Sequence, residues 1–551
     1  MRPSKYQLTI IDAVVKAKDK TNQSFVVNAL AGSGKTSTLL LICNELLKTG
    51  VELSDIQILV FAKENEQTLK QKFGRLWKSS ISTLHSIGRR YLAEYYQWKN
   101  KPALCSQKYT DIGERLGYYT KTIKRETVWG TLLLDNIVEN ESDFKQLFDL
   151  SRVNLSDCSP ASLKNLCNHY NIEGINDFVI SSKIITEILN IGSEEAKQGF
   201  YDFTDMIYLP SKIQQKIKKQ PKWILVDECQ DLNAAQLNLA LKIGNGESNY
   251  IFVGDRHQAI YGFAGADCNS VETIVQKTIA IQMPLSICYR CPESHIKLVQ
   301  STFPILGIEQ KNNVSKGVIE LLGEYDAIEK MIDGDLVLCR FTAPLILMCI
   351  KLLGEGKKAI VKGTDIAKKL AKTLRKIAKI KNFNYSRFLE FSQEFLQKKL
   401  KQLYEKDLNA QAWNLKDEIE AIETIYRQRS DINSIEALID SIIPLFSDQD
   451  SPITLCTIHR AKGLEKDRVY LLEATIMPCS FPKMTSWQIE QESNLLYVAL
   501  TRSTHYLGIV GYRTPHWLPA ELLEQYKYSN FAKVITQDTL KEGTTKQLQL
   551  I

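Results

Sequence analysis

Along the chain, short runs rich in β-branched and aromatic residues alternate with longer stretches whose apolar positions recur at helical spacing. That alternation is the pattern of parallel α/β domains. The runs predict strands at Phe25–Leu30, Ile56–Ala62, Trp223–Asp227, Tyr250–Gly254, Leu336–Cys339, Ala359–Val361, Ile453–Ile458 and Tyr506–Val510. Two regions break the alternation, Arg90 to about Gln220 and Phe388 to Ser447. Both read as helix-rich, without a parallel-strand run, and are taken as helical insertions. Phe388 to Arg429 carries apolar residues at helical spacing among many charges, which predicts one long helix or a helical hairpin.

The sharpest local signal is Ala29-Leu30-Ala31-Gly32-Ser33-Gly34-Lys35-Thr36, which follows a Val-Val strand and opens the helical run Ser37–Leu47. Backbone N–H groups of such a turn, with a helix N-terminus behind them, cradle phosphates. In this P-loop Lys35 reaches the β and γ phosphates of ATP and the Thr36 hydroxyl ligates Mg²⁺. The partner motif is Trp223-Ile224-Leu225-Val226-Asp227-Glu228-Cys229-Gln230-Asp231, a buried strand ending in carboxylates. Its four apolar residues place Asp227 and Glu228 at the C-terminal edge of a parallel sheet, where α/β domains bind ligands. Asp227 is expected to hold Mg²⁺ and Glu228 to polarise the attacking water.

A length of 551 residues exceeds what one hydrophobic core usually supports, so several domains are expected. With 44% hydrophobic and 24% charged residues and no low-complexity tract, the composition is that of a folded protein. No apolar stretch is long enough to span a bilayer, and Met1-Arg2-Pro3-Ser4-Lys5 leads into an amphipathic segment rather than a signal peptide. A cytoplasmic (bacterial or viral) or nuclear location and no membrane partner are therefore expected. The 12 cysteines lie mostly in apolar runs, as at Cys43, Cys339 and Cys456, and read as reduced core residues. Cys288-x-x-Cys291 has no second pair to complete a zinc site. A net charge of +7 permits a polyanionic partner without demanding one.

The Asp-Glu-x-Gln-Asp form of the second motif resembles that of the UvrD/Rep/PcrA-type superfamily 1 DNA helicases, and further motifs follow in family order. In that family Ala replaces the first phosphate-loop glycine, as Ala29 does, and Ala31, Gly32, Ser33, Gly34, Lys35 and Thr36 line the phosphates. Gln7 matches the glutamine that reads the adenine edge. Val253 to Ala266 matches the third motif, putting Gln258 at the γ-phosphate and Tyr261 and Phe263 toward single-stranded DNA. Tyr289-Arg290 matches the fourth, with Tyr289 stacking on adenine and Arg290 as an arginine finger. Thr457 to Glu465 matches the fifth, where Glu465 meets the ribose and Thr457 and His459 lie near DNA. Tyr497 to Arg502 matches the sixth, with Arg502 as a second finger. Phe61 stands where the family has an aromatic that flanks bases, although a core aromatic at a strand end is an equal reading, and Thr83-Leu84-His85-Ser86 resembles the next DNA-contacting motif. Departures are Ala264 for a frequent arginine, Lys63-Glu64-Asn65 for the usual Asn-Lys-Ala run, and Ser493-Asn494 for two arginines, which leaves Glu492 without its usual local partners.

The resemblance implies two RecA-like parallel-sheet domains, each with a helical insertion: 1–90 with 221–279, interrupted by 91–220, and 280–387 with 448–551, interrupted by a reduced insertion at 388–447. It places the phosphate loop and carboxylates in the first domain and both arginines in the second, so that ATP sits in a cleft whose closure delivers positive charge. The short second insertion resembles compact UvrD-like proteins of phages, mobile elements and defence systems, and the third motif is similar to that of F-box DNA helicases. The leading functional expectation is a 3′-to-5′ helicase or translocase on single-stranded DNA and duplex junctions. The alternatives are a nucleic-acid-stimulated ATPase sensor subunit with a nuclease partner in an antiphage complex, and a non-enzymatic DNA-binding descendant, which the intact motifs disfavour.

Three segments carry open readings. Lys357 to Lys381 holds ten Lys or Arg against only Asp365, with Ile366, Leu370, Leu374 and Ile377 at helical spacing; it reads as an amphipathic helix with a solvated charged face, or as a phosphate-tracking surface. Asp202-Phe203-Thr204-Asp205-Met206 resembles an acidic-aromatic segment of relatives, or is a helix cap with a core aromatic. Gln547-Leu548-Gln549-Leu550-Ile551, after the polar tail Lys541 to Lys546, resembles the peptide by which bacterial replication proteins hold the sliding clamp, or packs on its own domain.

Overall fold

The computed structural model describes residues 3–98, 101–118, 125–127, 130–132, 141–172, 174–217, 220–262, 265, 269–405, 408–449, 451–511 and 513–520. Phe263, Ala264 and the clamp-like segment Gln547–Ile551 lie outside them. The chain divides into two units, Met1–Ser286 and Ile287–Ile551.

In the first unit the strands β1 (Ser24–Ala29), β2 (Ile56–Val60), β3 (Ile81–Thr83), β4 (Trp223–Asp227), β5 (Asn249–Gly254) and β6 (Ile281–Leu285) form one sheet in the order β6-β1-β5-β4-β2-β3. Every neighbouring pair is parallel. The continuous apolar runs of β4 and β5 follow from their central place, since a parallel strand covered on both faces has no polar side to show. Strand β6 escapes the sequence pattern for the opposite reason. Among the described residues it pairs only with β1; it leaves Ile281, Gln282 and Pro284 exposed, and tolerates Pro284 because an edge strand can lose a donor. This strand corrects the expected boundary at 279: Ile281–Leu285 completes the first sheet instead of opening the second domain. One face of the sheet is covered by α1 (Lys5–Lys16) and α2 (Lys35–Lys48) through Ile10, Val14, Leu39, Ile42 and Leu46. The other face buries Leu84, Ile207, Leu237 and Ile274 against Phe252. The first helical insertion has a core of its own, including Phe144, Leu147, Leu163, Ile184 and Ile188.

The second unit repeats the plan with β7 (Val318–Leu322), β8 (Leu336–Cys339), β9 (Ala359–Lys362), β10 (Phe446–Ser447), β11 (Ile453–Thr457), β12 (Lys466–Leu472) and β13 (Ser503–Val510). Their order is β7-β13-β12-β8-β11-β9-β10, again all parallel. The two sheets are those of two RecA-like domains.

The reduced insertion consists of the helices Phe388–Tyr404, Asn409–Gln428 and Ile435–Ile442. It is not a separate body, because Phe388, Ile419, Ile422 and Leu438 share one core with Val337, Leu345 and Leu455 of the sheet layer. Asp417 seals the join by accepting the backbone N–H groups of Thr342 and Ala343 at 2.9 and 2.8 Å, which caps the helix Thr342–Gly354. The basic segment forms the amphipathic helix Thr364–Ile377, burying Ala367, Leu370, Ala371, Leu374 and Ile377. No helix among the described residues is long and apolar enough to cross a membrane.

Candidate active site

Because the first sheet is parallel, the loops after β1, β4 and β5 open at one edge. After β1 the chain turns through Gly32 (φ 66°) and Gly34 (φ 84°), and Gly34 is the left-handed N-cap of α2. Only glycine takes this conformation without strain, so the turn leaves backbone N–H groups and a helix N-terminus facing the edge. Ala31 and Ser33 are buried, and the Ser33 hydroxyl has no hydrogen-bond partner among the described residues. Thr36 is half-buried in the first turn of α2. Gln7 lies against this loop. Its side-chain oxygen closes a capping box by accepting Ser4 N–H at 2.9 Å, and its amide donates to Thr38 Oγ1 at 3.0 Å.

Lys35 Nζ lies 2.7 Å from Glu228 Oε2. Burial alone would push the Lys35 ammonium down, but the carboxylates of Glu228, Asp255 and Asp227 hold it above its ordinary value. Burial and the neighbouring Glu228 push the Asp227 carboxyl up to about 7 despite Lys35. Burial raises Asp255 as well, against the pull of the same lysine. Glu228 itself sits in the left-handed region (φ 52°) just past β4, a conformation that costs about 1–3 kcal/mol in a non-glycine residue.

A glutamine relay fixes these acids. Gln230 Nε2 donates to Glu228 Oε2 at 2.7 Å, Gln230 Oε1 accepts the Asp255 N–H at 3.0 Å, and Gln258 Nε2 donates to Asp255 Oδ2 at 2.7 Å. The relay requires glycine at the end of β5, since a Cβ on Gly254 would lie 2.5 Å from Gln230 Oε1 and 2.7 Å from Cys229 Sγ. Gly254→Ala is therefore expected to destabilise the first unit by about 1–3 kcal/mol and to displace Glu228 through Gln230. Thermal unfolding alongside ATPase assays checks this; an unshifted melting temperature would show that the relay yields without cost.

The residues present suit a magnesium ion. Asp227 and Thr36 supply hard oxygen donors, and the crowded carboxylates favour a cation among them. No group of three or more His, Cys, Asp or Glu able to cage a metal occurs among the described residues. Magnesium is commonly held by one or two carboxylates together with water and phosphate oxygens.

In the second unit Arg290 forms an ion pair with Glu465 and donates to the Thr501 carbonyl at 3.2 Å. Tyr289 is half-buried, with Lys311 Nζ 5.6 Å from its ring centroid. Arg502 is 1% exposed. Its guanidinium donates to the carbonyls of Val498 (2.9 Å) and Leu464 (3.3 Å) and to Thr501 Oγ1 (3.1 Å). Burial and the nearby Arg290 lower its pKa to about 10. Glu492, expected to lack local partners, takes a bidentate pair from Arg340 with Nη2 at 2.7 Å. His459 is half-buried, and burial with the Arg340 charge pushes its imidazole down to about 3. Thr457 precedes the short helix Ile458–Ala461.

Beyond β2 and β3 the same edge of the first sheet carries aromatic rings. The register Val60↔Thr83 sets Phe61 beside the start of the helix Leu84–Tyr96. Phe61 stacks on Tyr261 with centroids 6.2 Å apart and planes at 11°. His85 stacks on Phe203 at 4.0 Å, and burial pushes its imidazole down to about 4. Phe203 is 57% exposed, so it is no core aromatic. Its flanking acids are buried. Asp202 accepts from Arg152 at 2.7 Å, and Asp205 accepts from Lys108 at 2.7 Å and Tyr109 at 2.6 Å, which ties the Phe203 loop to the helices of the first insertion around it. Thr83 caps its helix by accepting Ser86 N–H at 3.1 Å.

The UvrD/REP helicase N-terminal domain family matches residues 12–278, and the UvrD-like helicase C-terminal domain family matches residues 452–510. The chain belongs to the UvrD/Rep helicase family. Among its relatives, F-box DNA helicase protein 1 of Schizosaccharomyces pombe is 29% identical over 51% of this chain and 33% of its own length. ATP-dependent DNA helicase Rep of Buchnera aphidicola subsp. Schizaphis graminum is 27% identical over 44% of this chain and 36% of its own. A probable DNA helicase of Mycoplasma pneumoniae is 21% identical over 94% of this chain and 85% of its own. The first two matches thus span about a third of those relatives' lengths.

In this UvrD/Rep-family chain the first unit gathers Lys35, Asp227, Glu228 and Gln258 at one sheet edge, and the second gathers Arg290, Glu465 and Arg502. Sequence reasoning assigned no role to Gln230, Asp255 or Arg340. Asp255 follows the buried strand β5 as Asp227 ends β4, a signal that was available; Arg340 and Glu492 are too far apart in sequence for any local pattern to pair them.

Proposed function

We propose that the chain is an ATP-dependent DNA helicase or translocase that moves 3′-to-5′ on single-stranded DNA and acts at duplex junctions. The observation that supports this reading best is the buried Lys35–Glu228 pair, flanked by Asp227 and Asp255 and braced by Gln230 and Gln258 at the mouth of the phosphate-loop turn. A phosphate seated in that turn competes with Glu228 for Lys35, which releases the carboxylate to orient the attacking water. Thr36 and Asp227 would hold Mg²⁺, whose chemistry is to neutralise charge on the β and γ oxygens. Arg290 and Arg502 supply the charges that complete hydrolysis, and Tyr289, Glu465 and Gln7 hold the nucleoside. The rings of Phe61, Tyr261, His85 and Phe203 suit sequence-tolerant base stacking, with His85 neutral at pH 7.

Strand displacement on 3′-tailed and 5′-tailed duplexes, with ATPase measured on single-stranded DNA and RNA, tests the reading. Stimulation by DNA and displacement of the 3′-tailed substrate are expected. An ATPase indifferent to nucleic acid would overturn it, and preference for the 5′ tail would overturn the polarity.

A further inference from the structure

The helix Thr364–Ile377 buries its apolar stripe and turns Lys368, Lys369, Lys372, Arg375 and Lys376 to solvent, with Lys379 and Lys381 continuing the exposed basic run past its end. Of these only Lys369 is paired, to Glu418 at 2.9 Å; Lys368, Lys372, Arg375, Lys376 and Lys379 meet no carboxylate among the described residues. The helix's one acid, Asp365, is taken by Arg460, which lies with His459 in the short helix that Thr457 precedes. The remaining face is therefore of single sign, and its N-terminal end is bonded to the segment that the family resemblance puts near DNA.

What such a face binds follows from what it lacks. The helix TDIAKKLAKTLRKI contains no aromatic residue on which a base could stack, and single strands are usually gripped by stacking. It exposes no large apolar residue to anchor a protein partner. Duplex DNA offers one phosphate charge per about 1.7 Å of axis, and the face from Lys368 to Lys376 runs about 12 Å at ~1.5 Å per residue. We propose that the solvent face of helix Thr364–Ile377, with Lys379, is a duplex-binding surface that follows the phosphate backbone without reading sequence. This deepens the helicase reading and rests on it for the substrate class.

The test uses the full chain with Lys368→Gln, Lys372→Gln, Lys376→Gln and Lys379→Gln combined, and the corresponding set of four Lys→Arg changes. Fluorescence anisotropy on a blunt duplex and on a single-stranded oligonucleotide is followed between roughly 50 and 200 mM salt. Each lost phosphate contact makes the slope of log affinity against log salt shallower by about 0.9, so the four changes of the Gln set are expected to take about 3.6 from the duplex slope. The Arg set is expected to keep it, and single-strand-stimulated ATPase is expected to stay at the parental level in both. An unchanged duplex slope in the Gln set overturns the proposal, as does equal weakening on duplex and single strand. An unmodified protein whose ATPase ignores single-stranded DNA would instead defeat the helicase reading, and the duplex slope would remain measurable.

Discussion

Lys35→Ala and Glu228→Gln are both expected to abolish ATP turnover, for different reasons that binding measurements separate. Lys35 is the buried cation on which the carboxylates of Glu228, Asp255 and Asp227 converge. Its removal leaves three crowded carboxylates facing any incoming phosphate, so nucleotide affinity and turnover fall together, turnover by at least about 10²-fold. Glu228→Gln keeps the shape of the side chain and the donor at Gln230 but removes the proposed general base, the loss of which costs about 10²–10⁴-fold in rate. It also relieves the repulsion that pushes Asp227 up, so nucleotide and Mg²⁺ binding are retained or tightened. Wild-type turnover in either purified variant would remove the site from consideration.

Arg290→Ala and Arg502→Ala are expected to lower turnover by about 10³–10⁵-fold with a much smaller change in nucleotide affinity, as loss of an arginine finger does. The structure adds a way to tell them apart. Arg290 is tied to Glu465, whose side chain is 52% exposed, and its loss leaves little buried polarity behind. Arg502 donates to the carbonyls of Val498 and Leu464 inside the second unit; Thr501 still serves Val498 when it is lost, but the Leu464 carbonyl loses this donor, which costs about 1–3 kcal/mol. Both variants should be slow, and only Arg502→Ala should melt earlier. Substantial turnover in the double variant, with DNA stimulation intact, would mean that the second unit is not catalytic in this way.

How far the sequence could be read depended on whether chemistry followed a central strand. Asp227, Glu228 and the third motif were legible because β4 and β5 are buried on both faces and read as unbroken apolar runs ending in polar residues. Strand β6 was not, since an edge strand can expose Ile281 and carry Pro284 and so loses the pattern. Lys466–Leu472 was missed because it begins with charged residues and becomes apolar only from Val469. The buried cluster of Lys108, Tyr109, Arg152, Asp202 and Asp205 was invisible for another reason: each member looks like a surface residue alone, and only the fold brings the charges together. The helical insertions were recognised by their lack of strands, but nothing in periodicity tells a helix that packs into a neighbouring core from one that forms its own.

That last distinction has a mechanical side. Swinging the helices between Phe388 and Ile442 outward would uncap Thr342–Gly354 at Asp417 and bring Ile419, Ile422 and Leu438 into water, and each buried aliphatic side chain so exposed costs about 1.5–3 kcal/mol. A lever must part from its base more cheaply than that. Among the described residues the insertion of the second unit is therefore fastened to its sheet, whereas the first insertion keeps a core of its own.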